Sequence, residues 1–525
     1  MGDSYIHFVY ARNLYRHAEF TYNPGLIEGI GTTSPLWVFF LTACLMIGFS
    51  PLIAARVLGI GLLIASGSLC FDLAFRLLQQ FESRRRQALA LMVALICIVS
   101  GNVLWIALSG METILFTTIG LLTLCAYSRE RWLLAGILLG FLALTRIEGV
   151  GLAVAILIIE GLRHRRISPQ IISMVIPLCL LLIPWILYLQ LREGAPIPTS
   201  FQGKRIITME IERLMIERNP EMAWIRAKPP LWVYMTSWMG YILLYMFGGT
   251  SMPGPALQFP GIWEGTELSL PIISIGLLTV LVIPLLLKYG VTLWHRKHLV
   301  KLSNANHRLV LVIFAWILLH NLAYAIYLPQ PGAAGRYAPM NHLIFWSGIL
   351  LSSLLLTNRW SRIAATSIVV LMLGTSLQYW YRVYQANIRY MLNVRIPATQ
   401  YVDMECDPGK PIGATDLGPL RYYAHQPIID LFGYVNKDIP QLLENHAGFS
   451  NYLIEREVAC LYVFMSVDNI GIDVIDLLNI SGDPRFRIRR EASFAVSLDE
   501  WFLGSSAIGN YMPSISIFRI IPNQG

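Results

Sequence analysis

The sequence predicts a polytopic α-helical membrane protein of about ten spans with additional interfacial helices, followed by a C-terminal extracytoplasmic α/β domain. Three observations predict it. Hydrophobic residues make up 55% of the chain and charged residues only 14%, with a mean hydropathy of +0.56, a balance that soluble globular chains do not show. Apolar runs long enough to cross a hydrocarbon core of about 30 Å recur as far as residue 381. Beyond them short β-branched runs alternate with helix-like stretches, so residues 1–384 are expected to form the membrane part and 385–525 the α/β domain.

The expected spans are residues 52–78, 88–108, 113–127, 132–145, 149–162, 171–189, 267–288, 309–328, 341–357 and 362–381. Between them lie five basic clusters: Arg84-Arg85-Arg86, Arg129 with Arg131, Arg163 to Arg166, Lys288 to Lys301, and Arg359 with Arg362. The positive-inside rule places all five in the cytoplasm. The formal charge of +8 is therefore topogenic, and its division into short clusters rather than one basic face argues against nucleic acid as a partner.

Two further apolar pieces, residues 35–48 and 231–247, would send later basic clusters outside if either one alone crossed the bilayer. Both read as interfacial or re-entrant helices, in keeping with Trp37 and two Phe in the first and Trp232, Trp238 and several Tyr in the second. Outward then face residues 1–50, the Ser109 to Glu112 turn, the Thr145 to Gly149 turn, residues 190–266, the loop before Pro339, and everything after 381. An outward polar segment needs something to carry it across, and a further apolar helix is expected upstream of it.

The tail should place strands near residues 411–414, 427–430, 458–465 and 514–521. It holds no GxGxxG, Walker or metal-ligand spacing, which leaves nucleotide binding without support. Five cysteines (Cys44, Cys70, Cys97, Cys125, Cys179) lie in apolar runs and pack there as small hydrophobes. Cys406 and Cys460 are the two able to meet in an aqueous domain, yet such isolated pairs are more often unbridged, and they are expected to remain thiols.

The outward segments carry the chemistry. In Gly2-Asp3-Ser4-Tyr5-Ile6-His7-Phe8-Val9-Tyr10-Ala11-Arg12-Asn13, the residues Asp3, His7, Tyr10 and Asn13 fall at helical spacing and can share one face. That face gathers a carboxylate, an imidazole and a phenol, groups able to bind a sugar. Tyr22-Asn23-Pro24-Gly25 and Glu28-Gly29 follow.

These motifs resemble bacterial GT-C glycosyltransferases similar to the mycobacterial terminal arabinofuranosyltransferase group, whose first external loop reads roughly D-D-x-Y-I-x-F-R-Y-A-x-N-L and then F-N-P-G and E-G. The likeness continues in order through Ser109-Gly110-Met111-Glu112-Thr113, Thr145-Arg146-Ile147-Glu148-Gly149, Pro198-Thr199-Ser200 with Lys204, Gly335-Arg336-Tyr337, and Gly413 to Gly418 with Tyr422-Tyr423 and Asp430. Each motif alone is weak; their shared order over nearly the whole chain is more specific. Departures are Gly2-Asp3 in place of paired aspartates, Arg146-Ile147-Glu148-Gly149 in place of R-P-E-G, and no helix before the first motif.

The resemblance implies a GT-C-like fold in the plasma membrane and transfer of a hexosyl or pentosyl unit from a polyprenyl-phosphate donor to a cell-envelope glycan, lipid or protein acceptor. It places Asp3 at the general base. Substrate would be held by His7, Tyr10, Arg12, Asn13, Asn23, Glu28, Glu112, Arg146, Glu148, Lys204, Arg336 and Tyr337. Such a reaction needs a base for the acceptor hydroxyl and cations for the departing phosphate, for which Arg146, Lys204 and Arg336 are the candidates. No nucleotide or soluble cofactor is implied, because the lipid phosphate is itself the leaving group. Asp3, Glu28, Glu112 and Glu148 all face outward and make a divalent cation conceivable, although no metal ligands are expected.

Plainer roles stand beside these. Asp3 can be a helix N-cap, Glu112 can cap the next helix, Arg146 and Glu148 can form a buried packing pair, and His7 can be a structural hydrogen-bonding residue. Arg336-Tyr337 can anchor at the interface. Asp416 and Asp430 can cap turns or line an acceptor groove. The rival function is a transporter or flippase of a lipid-linked glycan, for which inverted repeats and midplane helix breaks are the usual signs. The sequence shows no repeat. A structural or sensory membrane protein with a partner-binding tail is the third reading.

Overall fold

The computed structural model describes residues 2–207 apart from 27, then 304–327, 335–445 apart from 355 and 357, 448–467, 475, 478, 480, 482–496 and 512–523. The expected span at 267–288, the interfacial segment at 231–247 and the basic stretch 288–301 lie outside these residues. In chain order the helices are α1 (Ser4–His17), α2 (Pro35–Met46), α3 (Pro51–Leu77), α4 (Ser83–Val99), α5 (Gly101–Leu108), α6 (Thr113–Ser128), α7 (Trp132–Thr145), α8 (Val150–His164) and α9 (Pro169–Glu193). After these come α10 (Ala305–Tyr327), α11 (Pro339–Leu354) and α12 (Arg359–Tyr390), a π-helical stretch Met391–Arg395, and α13 (Ile396–Glu405).

The chain forms two compact units. One comprises Met1–Ala54, Trp185–Pro230 and Arg382–Gly525, the other Ala55–Pro184 and Leu231–Tyr381. One boundary between the units falls after Tyr381, and the first 54 residues group with the tail. The reason is a set of direct hydrogen bonds from the N-terminal segment to the tail, given below.

Four described helices are long and apolar enough to cross a membrane: Pro51–Leu77, Pro169–Glu193, Ala305–Tyr324 of α10, and the helix that begins at Arg359. A fifth is counted if α4 and α5 form one span. Residues 88–108, expected as a single span, are broken at Ser100 and bent by 55°. The segments expected to span at 113–127, 132–145 and 149–162 are helices of 16, 14 and 15 residues. At 1.5 Å per residue none of these reaches about 30 Å. Almost every residue of α6 is buried, so it is an inner helix packed on its neighbours rather than one facing lipid. A core of Ile96, Tyr324, Tyr337, Trp346, Ile349, Val369 and Met372 ties α4, α10, α11 and α12 together.

In the unit that holds the tail, α2 is too short to cross and is two-faced, burying Trp37 and Leu41 while exposing Phe39, Phe40 and Met46. The tail builds a five-stranded sheet in the order β2-β1-β3-β5-β4, with β1 (Ile412–Ala414), β2 (Ile428–Asp430), β3 (Cys460–Val467), β4 (Phe486–Ala495) and β5 (Met512–Pro522). The first three strands are parallel, and β5 runs antiparallel to both β3 and β4. Strand β4 was not expected. Arg487, Arg489, Arg490 and Glu491 obscure its apolar alternation, and such charge is what keeps an edge strand from pairing further.

Cys406 and Cys460 form a disulfide, correcting the expectation of two thiols. The helical turn that ends α13 and the start of β3 bring their Cα atoms to 6.2 Å, within bridging range. The crosslink closes a 54-residue separation, so Cys460→Ser is expected to lower stability by about 2–4 kcal/mol. Unfolding temperatures in detergent with and without reductant measure this; a reductant-insensitive temperature would contradict it.

Candidate functional site

The N-terminal motif is fixed by its own hydrogen bonds. One face of α1 does gather His7 and Tyr10 as the spacing predicts, but that face is covered by residues 29–32 of the same chain. His7 Nδ1 and Thr32 Oγ1 share a hydrogen bond of 2.8 Å, and the Tyr10 hydroxyl accepts from Gly31 N at 2.7 Å while donating to Gly29 O. Asn13 Nδ2 donates to the carbonyls of Thr21 and Tyr22, both at 2.9 Å. Glu193, which the sequence reading passed over, accepts from Ile30 N and from Thr199 N and Oγ1.

The next residues dock the segment on the tail. Arg12 donates to the carbonyls of Tyr422 and Arg421 at 2.8 and 2.9 Å and lies over the Tyr422 ring. The Tyr22 hydroxyl donates to Leu417 O at 2.9 Å. The Asn23 side-chain amide pairs with the main chain of β2, donating to Ile428 O at 2.8 Å and accepting from Ile428 N at 3.1 Å, and so closes that sheet edge as a further strand would. Glu28 accepts from Asn23 Nδ2 at 2.6 Å and from Asn23 N at 3.2 Å. Glu28, expected to hold substrate, is buried and orients Asn23.

Burial pushes the Glu28 carboxyl up to about 7, against the two hydrogen bonds from Asn23 that pull it down. Its folded value lies above the ordinary 4.5, so the folded form prefers the protonated acid. The stability this supplies is complete below pH 4.5 and is lost as pH rises to about 7, a span worth about 3 kcal/mol. Unfolding measured from pH 4 to 8 should show this decline, and Glu28→Gln should flatten it; an unchanged slope in the variant would contradict the assignment. Asp430, also buried, is pushed up to about 6 even though Phe432 N and Val435 N donate to it at 2.9 and 2.6 Å. It caps the turn after β2 rather than lining a groove.

Asp3 stands apart from these residues. It precedes the first turn of α1, half-buried, and its side chain makes no capping hydrogen bond, so the plain N-cap role is absent. It lies within electrostatic reach of Arg395 and Asp416. Those two form an ion pair at 2.6 Å with side chains 14% and 11% exposed. Burial holds the Asp416 carboxyl above the usual range, against the pull of Arg395. The motif carboxylate therefore sits in a charged centre made from the head of α1, the π-helical stretch and the loop after β1. Lys204, in the same unit, lies half-buried in the helical residues 199–207.

The helical unit has a charge centre of its own. Arg146 ends α7 in an extended conformation, which turns its side chain inward; a Cβ at Gly149 would meet the Leu142 backbone at 2.8 Å, so the turn closes tightly only with glycine there. Arg146 donates to Glu112 at 2.6 Å and, through its other terminal nitrogen, to Glu148 and the Tyr324 hydroxyl, both at 2.8 Å. Tyr324 also donates to Glu148 and stacks on Tyr337, whose ring lies 5.0 Å from the guanidinium. Burial pushes the Glu148 carboxyl up, but Arg146 and Tyr324 outweigh it and hold it below the ordinary value. Arg146 and Arg336 lie 5.0 and 5.3 Å from the same Tyr337 ring, so two guanidiniums border this centre. The ion pairs of Arg146 with Glu112 and Glu148 are those of the buried packing pair named as its plainer role. Glu112 makes no side-chain cap on α6. Arg336 is buried beside the Tyr337 ring.

At the opposite end of α6, α8 and α10 sits a second buried ionic group that sequence reading missed. Glu160 accepts from the Tyr127 hydroxyl at 2.6 Å and pairs with Arg308 at 3.2 Å and Arg163 at 3.2 Å. A carboxylate inside an apolar run was the available signal.

A family model described as a domain of unknown function (DUF8728) matches residues 381–491. No curated protein matches the chain. Two crystal structures are similar to it: ArnT from Cupriavidus metallidurans in the apo state, at 10% identity and a TM-score of 0.44, and the same protein bound to undecaprenyl phosphate, at 12% and 0.43. Each match covers 98% of this chain and 93% of the other.

Proposed function

We propose that this protein is a membrane glycosyltransferase that moves a sugar from a polyprenyl-phosphate donor to a cell-envelope glycan, lipid or protein acceptor on the extracytoplasmic face, with Asp3 as general base. The observation that carries the reading is the position of Asp3. The other polar side chains singled out on α1 bond to the chain's own main chain or to Thr32, while Asp3 lies in the charged centre of Arg395 and Asp416. A base for an alcohol must be held in place yet stay within reach of the acceptor.

In the proposed step the acceptor oxygen bonds to the anomeric carbon and its proton passes to the Asp3 carboxylate. The bond from that carbon to the phosphate oxygen breaks, and its electron pair leaves on the lipid phosphate. Lys204 is proposed as a cation for that phosphate, and Arg336 as a lipid-phosphate contact of the helical unit. Two features support an outward unit: the Cys406–Cys460 disulfide, a bond that persists in oxidising compartments, and the basic clusters, which the positive-inside rule assigns to the cytoplasm. The test is incubation of purified protein with a panel of labelled polyprenyl-phosphate sugars and envelope acceptors. Turnover of one donor supports the reading, and turnover of none refutes it.

A further inference from the structure

The sequence offers one carboxylate at the head of α1, and the structure brings a second to it from more than 400 residues away. Met391–Arg395 is a π-helical stretch lying between α12 and α13, and Arg395 is its last residue. Such stretches are rare and recur at functional sites because the extra residue re-aims the side chains around it. Here Arg395 reaches the main chain beside Asp3: a Cβ at Gly2 would overlap its guanidinium. Gly418 opens the other side, where a Cβ would stand 3.0 Å from Asp416 Oδ1 and 3.5 Å from Arg395 Nη1. Among the described residues, ionisable groups within reach of the centre include Asp3, Asp416, Tyr390 from the end of α12 and Tyr462 from β3.

We infer that Arg395 and Asp416 are positioning residues for Asp3: Arg395 holds the Asp3 carboxylate at the head of α1, and Asp416 shares that cation so that Asp3 remains a competent proton acceptor. This rests on Asp3 being the base. A guanidinium facing a single carboxylate stabilises its ionised form and weakens it as a base. Divided between two carboxylates, the same guanidinium keeps Asp3 in place while its field is partly cancelled.

The test is the pH profile of transfer by full-length protein, with unfolding temperature measured on the same preparations. Asp416→Asn leaves Arg395 to Asp3 alone, so the acidic limb should move down by about one pH unit and the plateau should fall several-fold. Arg395→Gln removes the cation and should move that limb up by about one unit, and Arg395→Lys should restore it most of the way. A merely structural role would scale the rate or lower the unfolding temperature without moving the limb. If Asp416→Asn and Arg395→Lys fold normally and neither the Asn nor the Gln variant moves the limb, the inference is overturned while Asp3 can still be the base. If Asp3→Asn itself transfers normally, the underlying reading fails first.

Discussion

Asp3→Asn is expected to cut sugar transfer by a factor of about 100 to 10,000 while leaving donor-lipid binding close to that of the native protein. Asparagine keeps the size and hydrogen-bonding reach of the side chain at the head of α1 but cannot take a proton. An interaction needed only as the acceptor oxygen attacks affects turnover and not ground-state binding. The residues that dock this segment, among them Arg12, Tyr22 and Asn23, are untouched, so the fold should survive. Turnover and lipid binding measured on one preparation separate the two effects. Near-native transfer by the variant would remove Asp3 from the chemistry and leave Asp416 as the next carboxylate to test.

Arg146→Ala is expected to act on stability instead, lowering it by about 3–5 kcal/mol. Arg146 and Glu112 have side chains only 7% and 1% exposed, so the truncation takes the guanidinium away from two carboxylates, Glu112 and Glu148, in a buried site. Glu112→Gln should cost much less, because it leaves the Arg146–Glu148 pair intact and neutral. Thermal unfolding in detergent reads both. If Arg146→Ala unfolds at the native temperature but loses affinity for donor lipid, the guanidinium faces phosphate after all and the packing assignment is wrong.

The apolar runs were legible because lipid solvation demands them, and helices α3, α9, α10 and α12 lie where hydropathy placed them. The bend at Ser100 was not, although Ser100-Gly101-Asn102 is the kind of polar punctuation that marks a break. Helices α6 to α8 have nearly the lengths expected, 16, 14 and 15 residues, but hydropathy does not distinguish an inner helix from one that faces lipid. The four expected strands carried an apolar signature and lie at β1, β2, β3 and β5; the fifth, β4, hid its alternation under arginine.

The site was legible in its residues and less so in their roles. His7, Tyr10, Asn13 and Asn23 drew notice as polar groups in an outward loop, and the structure turns Tyr10, Asn13 and Asn23 to the chain's own backbone and His7 to the Thr32 hydroxyl. A motif shows that a side chain is needed, not which way it faces. Arg395 and Tyr324 belong to no motif. They enter their centres through tertiary contacts across many residues, a relation that spacing in one sequence cannot express.

The most direct test of the central claim is to give purified protein, in sealed vesicles, a donor lipid labelled in both sugar and polyprenyl phosphate, and to follow the two labels. Release of one polyprenyl phosphate for each sugar joined to an acceptor outside the vesicle is the predicted result. Passage of the intact lipid-linked sugar to the other leaflet, with the sugar–phosphate bond unbroken, would contradict it and identify a flippase.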